Sequence, residues 1–330
     1  MTPKIILCPG QGAQAVGMAK AWYDASPEAR AVFDAADRIL GNRLGAPLTE
    51  LCFSGPAERL NQTDVAQPAL YVAGVASFRG LLAQWGCGAE RAPEECRIVA
   101  AAGLSLGEYT ALHVAGALTF EDGLELVTLR GRAMQDAATA VPSGMVALIG
   151  ADEAQANQVC DEARGSDILV PANFNAPGQI VISGSKAACE RAAEVAGKLG
   201  VRATPLAVAG AFHSPIMQPA ADRLREALAR TPIKAPRCPV ISNVTARAHE
   251  PAPGVTMEDS IRRRLVEQLT APVRWAESCQ HLAGQYAGGE GGAGAEFHEL
   301  APGKTLVGLM RRIERSIKVL THDDPTPPAP

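Results

Sequence analysis

A chain of 330 residues with 47% hydrophobic side chains has ample material for one large or two modest cores. Its formal charge of -4, spread without long runs, leaves no basic footprint for nucleic acid and no polybasic membrane patch. The apolar run at residues 5–8 is too short for a signal or spanning segment, and no later stretch reaches about 18 uninterrupted apolar residues, so a cytoplasmic protein is expected, with neither nucleic acid nor membrane as partner.

Residues 4–9 are β-rich and run into Gly10-Gln-Gly-Ala-Gln14. A glycine loop between strand and helix has two readings. It resembles a dinucleotide loop, but no second strand ending in Asp or Glu follows about 20 residues on. Alternatively, its backbone N–H groups face a reacting oxygen. Residues 26–55 show helical patterning broken by Gly41, Gly45 and Pro47, and Pro68 sits early in a buried helix that reaches Trp85. Residues 86–95 form a polar loop. The eight cysteines contain no C-x-x-C pair and are expected to be reduced, structural thiols.

The stretch 98–112 reads as buried strand, tight turn and helix, with Gly103-Leu-Ser-Leu-Gly107 at the turn. This is the G-x-S-x-G pattern of a nucleophile elbow, in which Ser105 projects from the sheet edge and the helix N-terminus faces a developing oxyanion. The next helix, residues 120–137, separates two arginines. At 100° per residue Leu126, Val127, Ala133 and Met134 form an apolar arc with Arg130 in its middle, whereas Arg132 lies opposite and meets Asp136 at i+4. A cation on an apolar face needs a partner or a polar cleft, which makes Arg130 a functional candidate beside the plainer roles of snorkelling or structural pairing.

From Gly144 the order is β-α-β-β-α-β: strand 145–149, helix 153–164, strands 169–173 and 179–183, helix 186–199, strand 202–206. That order describes a ferredoxin-like insertion. The fold class expected is therefore α/β: a hydrolase-like domain with a parallel sheet core (residues 1–142 and 207–321), an inserted ferredoxin-like subdomain (143–206) and a flexible tail (322–330). Residues 284–294 read as a glycine-rich flexible insert.

Ser105 needs a base, and six histidines compete. His322 lies in the tail, His249 in a proline-flanked polar loop, His281 at a helix end, and His113 two turns beyond the serine. His213, in a small-residue loop before a helix, is the best placed. No acidic residue stands in an obvious strand-end loop to complete a triad, so a backbone carbonyl is the expected orienting group.

Together these motifs resemble the malonyl-CoA:acyl carrier protein transacylases, relatives of polyketide synthase acyltransferase domains. The likeness spans residues 4–320 and rests on Pro9-Gly-Gln-Gly-Ala-Gln14, Gln67-Pro-Ala-Leu70, the elbow through Tyr109, Leu129-Arg-Gly-Arg-Ala-Met-Gln135, Asn173-Phe-Asn-Ala-Pro-Gly-Gln179, Ala211-Phe-His-Ser214, Gln268-Leu-Thr-Ala-Pro-Val-Arg-Trp275 and Pro302-Gly-Lys304. The resemblance implies Ser105 as nucleophile, His213 as base, the N–H groups of Gln11 and Leu106 as oxyanion hole, and the Gln268 carbonyl as the group orienting His213. It implies Arg130 as the grip on the malonyl carboxylate, a task suited to a planar guanidinium. Gln67, Asn175, Phe212 and Leu104 are implied to line the cleft, Phe212 as the bulky wall that disfavours methylmalonyl. The family usually has histidine where this chain has Leu104, which reads as a packing change. The implied substrates are malonyl-CoA and an acyl carrier protein, with no metal or redox cofactor and a monomeric enzyme; Lys186, Arg191, Lys304, Arg311 and Arg312 are candidates for receiving the acidic carrier. A serine thioesterase or esterase and a non-catalytic synthase scaffold are the alternatives.

Overall fold

The computed structural model describes residues 1–288 and 294–325. Two sheets organise it. The first contains β1 (Lys4–Cys8), β2 (Ile98–Gly103), β7 (Val240–Ile241), β8 (Glu296–Leu300) and β9 (Val319–His322), in the order β7-β2-β1-β8-β9. Every pairing in it is parallel. β1 and β2 read as near-continuous apolar runs because both faces are covered. The second sheet contains β3 (Ser143–Ile149), β4 (Leu169–Ala176), β5 (Gln179–Ser185) and β6 (Arg202–Pro205), antiparallel in the order β4-β5-β3-β6. Helices Glu153–Arg164 and Lys186–Lys198 pack on it around a core of their own. We read this unit as the ferredoxin-like subdomain on the strength of that strand order.

The helix Thr63–Trp85 is apolar on nearly every side and buried accordingly. It begins five residues before Pro68, earlier than the sequence suggests. Tertiary partners hold its first turn: Arg59 binds both carboxylate oxygens of Asp64 (2.6 and 3.0 Å), and Gln135 Oε1 accepts the Thr63 N–H at 3.1 Å. Helix Phe120–Ala140 crosses it at Gly131, where an added Cβ would stand 2.7 Å from the Thr63 carbonyl oxygen. That close approach brings Arg130 to Gln67.

Three expectations are corrected. Cys87 and Cys96 form a disulfide, because the short helix Ala92–Glu95 folds the loop back until their Cα atoms are 6.0 Å apart. The other six cysteines are free thiols. His322 belongs to β9, buried beside His298, where pairing with β8 extends the fold past the expected start of the tail. Helix Trp275–Tyr286 also claims the first residues of the expected glycine-rich insert. Residues 289–293 of that insert and 326–330 of the tail lie outside the described residues. Among the described residues no helix is long and apolar enough to cross a membrane.

Candidate active site

Parallel strands deliver their carboxyl ends to one edge, where ligands of open α/β sheets bind. β1 ends at Cys8 directly opposite Gly103, the end of β2. The turn beyond β2 is tight. A Cβ on Gly103 would lie 1.9 Å from the Gly107 carbonyl carbon, and one on Gly107 would lie 2.1 Å from the Cys8 carbonyl oxygen, so both flanking positions require glycine. Ser105 at the apex has φ 52°, a left-handed conformation uncommon outside glycine, and helix Gly107–Val114 follows.

Around this apex the polar side chains converge. Ser105 Oγ lies 2.8 Å from His213 Nε2, and His213 Nδ1 lies 2.7 Å from the Gln268 carbonyl oxygen. The carbonyl selects the tautomer with hydrogen on Nδ1, leaving Nε2 to accept the serine proton. His213, also at positive φ (55°), is buried. Burial and then the Arg130 charge push its pKa down to about 4, against an upward pull from the Gln268 carbonyl. A base lowered in this way is neutral above about pH 4 and gains its proton below it. Acyl uptake by Ser105 is therefore expected to hold from neutrality down to about pH 4 and to fall as pH drops through that value; stopped-flow acylation across pH 3.5–8 measures it.

Arg130 is 1% exposed on helix Phe120–Ala140, with Leu126, Val127, Ala133 and Met134 buried around it. Its Nη1 donates to Gln67 Oε1 (2.6 Å), and its Nη2 donates to Gln268 Oε1 (2.9 Å) and to Ser105 Oγ (3.2 Å). The guanidinium also lies over the Tyr109 ring, its Cζ 5.5 Å from the centroid. All three hydrogen-bond partners are neutral. Among the described residues no carboxylate forms an ion pair with Arg130, and burial lowers its pKa. Glu108, bonded to the far side of Gln268, acts on this cation only from a distance, so part of its desolvation cost is left for an anionic ligand to offset. Arg132, by contrast, is exposed and meets Asp136 at 3.0 Å.

The cleft over these groups measures about 400 Å³, and its lining includes Gln11, Leu104, Leu106, Met134, Asn175 and Phe212. Gln67 stands behind it, fully buried, bonded to Arg130 and Met134 Sδ. Asn175 reaches the cleft because β4 is tied to the segment after Gln268: Phe174 N–H donates to the Val273 carbonyl (2.9 Å), and Val273 N–H to that of Ala172 (2.8 Å). Among the described residues the N–H groups of Gln11 and Leu106 bond to nothing in the protein, whereas that of Ser105 is taken by Asn243 Oδ1 at 2.6 Å. Arg191 is occupied with Asp167 and two carbonyls and is a poor docking cation.

Sequence reasoning missed the layer behind these groups. Asn243, just after β7, also donates through Nδ2 to the Gly103 carbonyl at 2.7 Å. His249, set aside as a polar loop residue, is buried with its Nε2 2.8 Å from Glu108 Oε1. The side chain of Gln268, beside its expected carbonyl, touches serine, arginine and glutamate together.

Residues 5–300 match the family described as acyl transferase domain. Malonyl CoA-acyl carrier protein transacylase of Escherichia coli (strain K12) is 39% identical over 328 residues, covering 99% of this chain and 97% of that protein. The crystal structure of the malonyl-CoA:acyl carrier protein transacylase of Xanthomonas oryzae pv. oryzae superposes with TM-score 0.86 at 42% identity, covering 98% and 96% of the two chains. A type II PKS acyl-carrier protein solved in complex with its malonyl-transacylase offers a further match, with TM-score 0.84, 36% identity and coverage of 98% and 96%. Elbow, paired histidine and buried arginine thus occur in a chain that belongs to the acyl transferase domain family.

Proposed function

We propose that this protein transfers a malonyl group from malonyl-CoA to the phosphopantetheine thiol of an acyl carrier protein through a malonyl-Ser105 intermediate. One observation carries the substrate: the buried Arg130 guanidinium, with no carboxylate in contact among the described residues, stands 3.2 Å from the Ser105 hydroxyl. In malonyl-CoA the carboxylate is one methylene away from the thioester carbonyl. An arginine almost touching the nucleophile therefore suits a short diacid, the spare N–H on Nη1 and the one resting on Ser105 Oγ being free to turn to a carboxylate.

His213 Nε2 takes the Ser105 proton as Oγ attacks the thioester carbonyl. Negative charge builds on the carbonyl oxygen between the Gln11 and Leu106 N–H groups, each such donor contributing about 3 kcal/mol. The Gln268 carbonyl stabilises the imidazolium through Nδ1–H. Collapse expels CoA, which leaves with the proton from His213. The carrier thiol then attacks the malonyl ester, giving its proton to His213 and returning it to Ser105. The steps need no metal or redox cofactor, and every group belongs to one chain, so a monomer suffices. Phe212 on the cleft wall disfavours a methyl branch by about 1–3 kcal/mol, while Leu104 fills the wall beside the nucleophile.

Intact-mass measurement after mixing with malonyl-CoA should show a malonyl adduct on Ser105 that persists until carrier protein is added. Rapid loss to water alone would instead make the protein a hydrolase, and the absence of any adduct would leave the scaffold reading.

A further inference from the structure

Glu108 is the second residue of the elbow helix, fully buried, and it does not face the cleft. Its carboxyl group nonetheless bonds to three groups behind the site. Oε2 accepts the Gln268 Nε2 amide at 2.7 Å and the Asn243 backbone N–H at 3.0 Å, while Oε1 meets His249 Nε2 at 2.8 Å.

Gln268 meets the site at three points, one through its backbone and two through a side-chain amide whose orientation must be fixed. Its carbonyl faces His213 Nδ1, its Oε1 faces Arg130 Nη2, and its Nε2 faces the Ser105 carbonyl at 3.0 Å. A primary amide is nearly symmetric in shape, so donor and acceptor demand alone decides which end points where. With acceptors at Ser105 and Glu108 on one side and a guanidinium on the other, only one orientation satisfies both ends. Without Glu108 the Nε2 group keeps a single acceptor and a buried N–H goes unpaired.

We propose that Glu108, held in place by His249, is a positioning residue that fixes the Gln268 side chain and so sets the carboxylate-binding arginine, while anchoring the residue whose backbone carbonyl orients the serine's base. This deepens the transferase reading and rests on it. It also assigns a task to His249, which the proposed chemistry does not use. Glu108 is not a catalytic residue, since it meets neither substrate nor a reacting atom.

The test compares wild type, Glu108→Leu and Glu108→Gln for kcat/KM with malonyl-CoA and for the slower transfer from acetyl-CoA, with folding checked by circular dichroism and thermal melting. Glutamine keeps one oxygen to accept from Gln268 and Asn243, and its amide can donate to His249 in the other tautomer, so Glu108→Gln should stay within about threefold of wild type. Glu108→Leu should lose about 10–100-fold with malonyl-CoA, the scale of a misplaced catalytic geometry. Its malonyl-to-acetyl ratio should narrow, because acetyl has no carboxylate to lose at Arg130. If the leucine variant fails to fold, Glu108→Leu with His249→Leu removes the imidazole otherwise left buried without its partner, and the same kinetics apply. A folded leucine variant with unchanged malonyl kcat/KM, or with malonyl and acetyl falling equally, overturns the proposal. Wild-type protein that forms no malonyl-Ser105 adduct overturns the transferase reading instead, so the two failures are separable.

Discussion

Ser105→Ala is expected to yield a folded protein that takes up no malonyl group and transfers about 10⁴–10⁶-fold more slowly, the loss seen when a unit of interdependent catalytic groups loses its nucleophile. The fold should survive, because the hydroxyl contributes only its contacts to His213 and Arg130. The elbow is held by backbone contacts and by Asn243, none of which uses the serine hydroxyl. Intact mass and carrier acylation measure the effect, and a variant that still carried malonyl at wild-type rate would remove Ser105 from the mechanism. His213→Ala should retain slow acylation, reduced about 10²–10⁴-fold, because oxyanion donors and bound substrate remain while the proton acceptor is lost.

Arg130→Ala is expected to lower kcat/KM for malonyl-CoA by about 10²–10³-fold, as two charge-assisted hydrogen bonds at roughly 1.5–3 kcal/mol each disappear, partly offset by water entering the space. Acetyl-CoA should lose far less, so the preference between the two collapses or reverses. Arg130→Lys should recover little, since an ammonium cannot bind Gln67, Gln268 and a carboxylate in one plane. A second readout follows from electrostatics. Arg130 is one of the two causes that lower the His213 pKa, so its removal should move the acid limb of the pH profile upward from about pH 4. Parallel kinetics with malonyl- and acetyl-CoA across pH would show whether both changes occur.

The parts of the site that the sequence exposes are those with a local cause. The elbow is visible because a buried strand must turn sharply into a helix within five residues, and only glycine fits where Gly103 and Gly107 meet backbone. Arg130 is visible because helical periodicity turns neighbours in sequence into opposite faces, one against the core and one in solvent. His213 could be chosen among six only by discarding residues in unpromising loops, and that method discarded His249 as well. A histidine before prolines looks the same in sequence whether it is solvated or sealed against a carboxylate.

The sequence by itself determined the α/β alternation, the inserted four-stranded unit, the reactive serine, the arginine on an apolar face and the family resemblance, since each depends on spacing within a few turns of chain. Tertiary structure alone decided how Asn243, Glu108, His249 and Gln268 meet, across sequence separations of 135 to 160 residues. It also decided that Cys87 pairs with Cys96 and that His322 closes a strand. The disulfide follows from a loop folded back on itself, and the polar contacts from which strand ends lie side by side at the sheet edge. Polar side chains carry no local mark of that placement, because a hydrogen bond between distant segments exists only once packing has brought donor and acceptor within about 3 Å.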